Sequence, residues 1–270
     1  SQYQLIPYKR IQEYFSDQIG IPVSEGSIYN FIQEAYGLSE PFEVETKEVL
    51  AGSDILNVDE TGININADRQ WLHSASNSSR TYCFPHKRRG SEAMDYIGIL
   101  PRFGGVLCHD HLKAYYKYTC LHALCNAHHI RELEWVWENE KHQWARDTKL
   151  LLQEMNKAVN EAGGVLKAEE FERYRQRFRL ILKTGEAECP PPDLSNRKGK
   201  RGRVKRTKAR NLLERLQKFE DDTLRFMDIK IVPFTNNLAE NDIRMTKVQQ
   251  KISGCFRSLE GAKLFCRIRS

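Results

Sequence analysis

Apolar residues recur at helical spacing near both ends of the chain and gather into short runs between them. Ile11, Tyr14, Phe15 and Ile19, then Ile28, Phe31, Ile32 and Ala35, predict two short helices between Tyr8 and Gly37. Gly20-Ile21-Pro22-Val23-Ser24 breaks the first helix, and Ser24 or Ser27 caps the second. The acidic stretch 38–52, with Pro41, reads as a linker. Ile55-Leu56-Asn57-Val58-Asp59-Glu60-Thr61-Gly62 is an apolar run ending in two carboxylates, which predicts a buried strand closed by a turn at Gly62. Gln70–Ser74 and Arg80–Phe84 predict two further strands around a turn at Ala75–Ser79. A short amphipathic helix over Glu92–Leu100 precedes a second buried strand, Gly105–Cys108, which runs into His109-Asp110-His111. Leu121–Cys125 predicts another strand, and a helix starts at Ile130.

From residue 138 to about 227 the pattern is helical. Leu150, Leu151, Met155 and Val159 share one helix, and Phe171, Tyr174, Phe178, Ile181 and Leu182 the next. Pro190-Pro191-Pro192 interrupts this segment, and Leu212, Leu213, Leu216 and Phe219 resume it. Asp228–Pro233 brings the chain back to a last helix over Phe234–Arg244, capped by Thr235 or Asn236, with Leu238, Ile243 and Val248 toward a core. The fold class expected is α/β, with a helical insertion.

Composition narrows the class. At 270 residues, 40% hydrophobic and 29% charged, the chain has the balance of a soluble globular protein. Neither an apolar run of roughly 18–20 residues nor a signal-peptide pattern is present, so no membrane partner and a cytoplasmic location are expected. Seven cysteines without framework spacing predict reduced thiols. The chain opens on Ser1 without an initiator methionine and stops at Ser270 without a terminal cap, which reads as an excised fragment.

The net charge of +6 is unevenly spread. Lys198, Lys200, Arg201, Arg203, Lys205, Arg206, Lys208 and Arg210 form a run without alternating acids. It reads as a phosphate-binding surface rather than a merely solvated arm, adding affinity without sequence choice. The two N-terminal helices follow helix-turn-helix grammar, with Ser27, Tyr29, Asn30 and Gln33 on the outward face of the second, where they could meet DNA. An ordinary packing hairpin gives the same pattern.

A carboxylate at the end of a buried strand is costly unless something neutralises it, and a divalent cation does so. Alone, Asp59 reads more readily as an exposed turn acid. Asp110 ends a second apolar strand, and Glu240 lies on the last helix, where an ion pair with Arg244 is the simpler reading. Strand acid, strand acid, helix acid is the order of ribonuclease-H-like nucleotidyl transferases, whose carboxylates converge on two metal ions. About 3.5–4 Å apart, such ions stabilise the attacking and leaving oxygens of a phosphoryl displacement. Mg2+ or Mn2+ prefers these oxygen ligands. Strand alternation puts Asp59 and Glu60 on opposite faces, so only Asp59 is expected to hold metal.

Four motifs carry a resemblance. Val58-Asp59-Glu60-Thr61, Asp110-His111-Leu112-Lys113-Ala114-Tyr115, Cys125-Asn126-Ala127-His128-His129-Ile130-Arg131 and Asn236-Asn237-Leu238-Ala239-Glu240-Asn241-Asp242-Ile243-Arg244 resemble bacterial insertion-sequence transposases of the insertion sequence sixty-six type. The resemblance runs from about Ser53 to the C-terminal end. It implies a ribonuclease-H-like core, which falls over 53–137 and 228–270, while the patterns above set a helix-turn-helix at 1–38, a linker at 39–52 and a helical insertion with a basic arm at 138–227. It also implies cleavage of transposon ends exposing 3′-hydroxyls, strand transfer into target DNA, and a homodimer or larger synaptic assembly on the nucleoid. By position, Asp59, Asp110 and Glu240 inherit the metal-ligand role, with two Mg2+ or Mn2+ ions as cofactor. Cys125 and His128 have the spacing of half a zinc site, but neither a second CxxC nor HxxxH follows. Structural Zn2+ is therefore not expected, and the pair is expected to brace the site. Arg131 and Arg244 join the expected DNA contacts. Two alternatives remain: a catalytically inactive, domesticated DNA-binding protein, or a zinc-stabilised interaction domain.

Overall fold

The computed structural model describes residues 2–192, 204 and 206–270. Among them the elements run α1 (Tyr8–Tyr14), a π-helical turn over Phe15–Ile19, α2 (Glu25–Leu38), α3 (Glu40–Ala51), β1 (Ile55–Ile65), β2 (Asp68–Ser76), β3 (Thr81–His86), α4 (Ser91–Ile97), β4 (Val106–His109) and β5 (Leu121–Leu124). They continue with α5 (Asn126–Glu140), α6 (Gln143–Glu161), α7 (Ala168–Glu188), α8 (Lys208–Lys218), α9 (Glu220–Leu224), α10 (Asn237–Ser253) and α11 (Leu259–Arg269). The strands make a mixed five-stranded sheet of order β3-β2-β1-β4-β5. The chain divides into two compact units: Ser1–Leu107, Leu112–Cys120 and Asn237–Ser270 in the first, Cys108–His111 and Leu121–Asn236 in the second.

In the first unit β1 does not end at Gly62. It continues to Ile65, with Gly62 opposite Trp71 of β2, and turns instead at Asn66-Ala67, both left-handed at φ 49° and 68°. Two consecutive positive φ values are what a tight two-residue hairpin requires. Gly62 serves packing: a Cβ there would lie 3.0 Å from the Arg69 guanidinium, which crosses the strand at that point. The register pairs Asp59 with Ser74 and Glu60 with His73, and on β3 Ser74 with Cys83.

Each sheet face has its own core. Val58, Ala75 and Tyr82 pack with Leu50 of α3 and Met94 and Ile97 of α4. On the other face Ile63, Ile65, Leu72 and Cys83 pack with Ile243 of α10 and Phe265 and Cys266 of α11. The expected linker is therefore mostly helix: α3 buries Thr46 and Leu50, and Pro41 sits in its first turn, where a proline costs no hydrogen bond. In α2, Ser24 accepts the Ser27 N–H at 3.0 Å as expected of a cap. Ile28 is buried, whereas Phe31, of the same apolar series, is 63% exposed. Arg267 of α11 lies over Tyr36 and donates to its carbonyl at 3.1 Å. On α10 the core face is Ala239, Ile243 and Thr246; Leu238, expected inside, is exposed.

In the second unit α6 buries Leu151, Leu152, Met155 and Val159, and Leu150 faces out instead of Leu152. Tyr174, Phe178 and Leu182 of α7 complete this core with Leu212, Leu213 and Leu216 of α8. At Gly185 a Cβ would lie 3.0 Å from both Leu213 and Trp144, so the missing side chain sets how closely these helices pack. No described helix is long and apolar enough to cross a membrane. All seven cysteines are free.

Candidate active site

The alternation of β1 separates its two acids as the sequence predicts. Glu60 has a fully buried side chain. Its Oε1 accepts Arg89 Nε at 2.9 Å and Nη2 at 2.7 Å, and its Oε2 accepts the Tyr115 hydroxyl at 2.6 Å. Charge and lone pairs are thus compensated within the protein, as a buried carboxylate requires. Neither partner was evident in the sequence, because Arg89 and Tyr115 lie 29 and 55 residues away.

Asp59 points to the opposite face and is partly exposed. Its Oδ1 accepts the Glu60 backbone N–H at 2.8 Å, which restrains the carboxylate. Ile63, four residues on and in phase with Asp59, packs in the same core as Ile243 of α10. Glu240 precedes Ile243 by three residues, close to one helical turn, and is partly buried in the first turn of α10. Asp59 and Glu240 therefore belong to one side of the sheet in the first unit.

Asp110 belongs to the second unit and follows β4 directly. Its turn is held from within: His109 Nδ1 accepts the His111 N–H at 3.1 Å, and His109 Nε2 meets His122 Nδ1 at 3.0 Å. Because Nδ1 accepts, Nε2 carries the proton and donates to His122, which fixes the His109 tautomer. Burial, then the neighbouring imidazole of His122, holds the His109 pKa well below the usual histidine range, so the ring is neutral. His111 is left-handed at φ 72° and rests edge-on against Phe219, 4.4 Å between ring centres. One oxygen of Asp110, Oδ1, is buried and has no hydrogen-bond partner among the described residues. A buried carboxylate oxygen without a donor suits a cation, and the all-oxygen chemistry of an aspartate suits Mg2+ or Mn2+.

Asp110 opens on a cleft of about 520 Å³ lined also by Cys125, His128, His129, Arg131, Trp135 and Arg215. Cys125 ties three segments: its N–H donates to His109 O at 3.0 Å, its Sγ accepts the Asn236 N–H at 3.2 Å, and it precedes the first turn of α5. His128 stands in that turn, with its N–H on Cys125 O at 3.1 Å. The helix thus starts at Asn126 rather than Ile130, which brings the whole Asn126–His129 motif onto its N-terminal end. Asn126 gives its amide to Thr223 O at 2.9 Å and turns its oxygen to His129 Nδ1 at 3.1 Å. Burial, then Arg215, keeps His129 neutral, with its pKa far below the ordinary value. Arg215 itself pairs with Glu132. Trp135, Glu132 and Arg215 carried no signal in the sequence, since each has the spacing of an ordinary helix surface.

The expected DNA contacts fall into three groups. Ser27, Tyr29, Asn30 and Gln33 lie on α2, with Tyr29, Asn30 and Gln33 exposed and Gln33 donating to the Tyr29 hydroxyl at 2.7 Å. Arg244 is exposed on α10, and Arg131 on α5 donates to Ala127 O at 3.2 Å. In the basic run, Lys198, Lys200, Arg201, Arg203 and Lys205 lie outside the described residues. Lys208 is exposed and sits 3.7 Å over Trp135. Arg206 pairs with Glu214. Arg210 departs from expectation: it is 8% exposed, donating to Glu214 at 2.8 Å, to Glu186 at 2.5 Å and to Cys189 O at 3.1 Å. A guanidinium consumed by two acids and a carbonyl has little left for a phosphate, so Arg210 anchors α8 to α7.

These features define a mixed α/β protein with one acid within a strand, one directly after another strand and one on a helix that covers the sheet. The model of the family described as Transposase IS66 family matches residues 2–264, and the chain belongs to that family. Membership makes it a DNA transposase, a DNA-binding and DNA-processing enzyme. No curated protein matches the chain.

Proposed function

We propose that the chain cleaves transposon ends to expose 3′-hydroxyls and joins them to target DNA, with Asp59, Asp110 and Glu240 as the carboxylates of a two-cation, ribonuclease-H-like centre. The buried, donor-less Oδ1 of Asp110 is the observation that carries this reading. Asp59 and Glu240, on one side of the sheet, supply the other two acids. Bound Mg2+ or Mn2+ would stabilise the attacking and leaving oxygens of the displacement.

The remaining work belongs to the chain itself. The Glu60 N–H fixes the Asp59 carboxylate, while Arg89 and Tyr115 keep Glu60 from competing for a cation. His109, neutral and of fixed tautomer, holds the backbone on either side of Asp110. In cleavage a water oxygen bonds to phosphorus and the 3′-oxygen leaves and takes a proton. In joining, that 3′-hydroxyl attacks a target phosphodiester and another 3′-oxygen leaves. No covalent protein–DNA bond is needed. Within this reading α1 and α2 serve as a helix-turn-helix, residues 138–227 as a helical insertion, and two or more copies bring the ends together.

Strand cleavage of a transposon-end duplex in Mg2+ or Mn2+ tests the assignment. Asp59→Asn, Asp110→Asn and Glu240→Gln are each expected to lower the rate by about 100-fold or more with the fold intact by circular dichroism. Wild-type rates in all three variants would sink it. DNA binding without any cleavage by the wild type would leave only an inactive DNA-binding protein.

A further inference from the structure

The helices α2 and α3 run on as a single bent rod. Ser39 between them is right-handed helical at φ −84° and ψ −1°. Its N–H donates to Ala35 O at 3.0 Å, and its carbonyl accepts the Glu43 N–H at 3.0 Å. Pro41 removes one N–H from this ladder, which bends the helix without ending it. From Glu25 to Ala51 the rod spans about 40 Å at the helical rise of about 1.5 Å per residue. Ile28, Thr46 and Leu50 are buried along its inner side.

Phe31, Leu38, Phe42 and Val49 lie along a different side, 63, 76, 41 and 38% exposed. At about 100° per residue their directions agree within about 40°, and they lie about 70° round the helix from the inner side. Together they leave on the order of 400 Å² of apolar surface uncovered, the size of patch that marks an interaction site. Glu34 and Glu48 border this seam, and Glu45 sits within it. Glu45 is already neutralised: Arg80 donates to it at 3.2 Å and lies 4.9 Å over the Phe42 ring. Its burial under a partner would therefore strand no charge. An apolar seam bordered by acids suits a protein and repels a phosphate backbone.

The spacing names the protein. Counted along the chain, the four apolar positions are symmetric about residue 40. Two identical rods laid antiparallel therefore bring Phe31 opposite Val49 of the second copy and Leu38 opposite Phe42, large against smaller, in the 3-4 spacing that lets side chains interlock. Glu45 then faces Ala35, whereas a parallel pair would set Glu45 against Glu45. We propose that this seam joins two copies of the chain about a two-fold axis near Glu40. A patch of this apolar area, with the polar share usual in interfaces, corresponds to about 700 Å² per partner, close to the ~800 Å² of a stable pair. The seam gives the pairing of copies in the proposed function a surface, and it forms without DNA or a cation.

Sedimentation equilibrium of the DNA-free protein at micromolar concentrations tests it. The wild type is expected to be a dimer. Phe31→Glu sets a new acid beside Val49, Glu45 and Glu48 of the other copy, and is expected to raise the dissociation constant by about 30-fold or more. Because Phe31 is largely exposed, circular dichroism of this variant should match the wild type. Mixing Phe31→Glu with Val49→Lys is expected to restore most of the pairing, since only an antiparallel pair brings those two positions together. A monomeric wild type, or a dimer indifferent to Phe31→Glu, overturns the seam, and a mixture that stays apart overturns the antiparallel arrangement. The catalytic reading fails separately: a cleaving wild-type monomer removes the seam alone, whereas a seam-joined dimer without cleavage removes the catalytic reading alone.

Discussion

Glu60 shows how much one buried carboxylate depends on its partners. With Arg89 removed, its buried charge loses the ion pair, and breaking such a pair costs about 3 kcal/mol or more. Arg89→Met is therefore expected to lower the unfolding free energy in urea by about that amount, and Tyr115→Phe by about 1–2 kcal/mol. Equal, small effects of both would remove the pair as the anchor of β1. His73, opposite Glu60, gives a pH dependence. Its Nε2 bonds to Arg88 O at 3.0 Å, and burial lowers its pKa from 6.5 to about 4. The unfolded chain takes up a proton near pH 6.5 that the folded chain refuses until about pH 4, so stability falls as pH drops through that window. The loss from this residue is about 3 kcal/mol at most. His73→Asn is expected to flatten the decline measured by thermal melts between pH 7 and pH 4; an unaltered decline would assign it elsewhere.

At the scale of elements, the strand β1 and the helix α10 were legible in outline because apolar periodicity fixes which faces are buried. Asp59 and Glu60 could be told apart for the same reason. What periodicity could not supply was the meaning of glycine and proline. Gly62 reads as a turn because glycine is common in turns, yet here it makes room for Arg69 within a continuous strand. Pro41 reads as a breaker, yet in a first turn it starts α3. Arg210 reads as a phosphate contact because its neighbours in sequence are basic, and the acids that consume it come from α7 and from one turn ahead on α8. The real hairpin turn, Asn66-Ala67, was missed because alanine seldom takes a positive φ. That yields a prediction of unusual sign: Ala67→Gly is expected to stabilise the protein by about 0.5–1 kcal/mol, relieving left-handed strain. Destabilisation in urea would mean the alanine is not strained.

For the whole molecule, divalent cations should act on stability as well as on rate. A ligand that binds only the folded state raises stability by about 2.7 kcal/mol at 100 times its dissociation constant. Mg2+ or Mn2+ is expected to raise the melting temperature of the wild type, and Asp110→Asn to lose most of that increase. An identical shift in both proteins would place the bound cation away from Asp110. That Asp59 and Asp110 go with two apolar strands and Glu240 with a late helix was legible from the pattern, but the supports of Asp110 were not. His122 reaches His109 across 13 residues and Asn236 reaches Cys125 across 111, distances at which a sequence gives no pairing signal.

Trp71 offers a consequence of a different kind. The guanidinium groups of Arg69 and Arg89 lie 5.1 and 4.8 Å from its ring, and the other three tryptophans, Trp135, Trp137 and Trp144, all belong to the helical unit. Replacing those three by phenylalanine would leave a single indole between two guanidinium groups, whose emission should shift when either cation moves off the ring. Such a variant would carry an optical gauge of this edge of the sheet, readable in real time without a label.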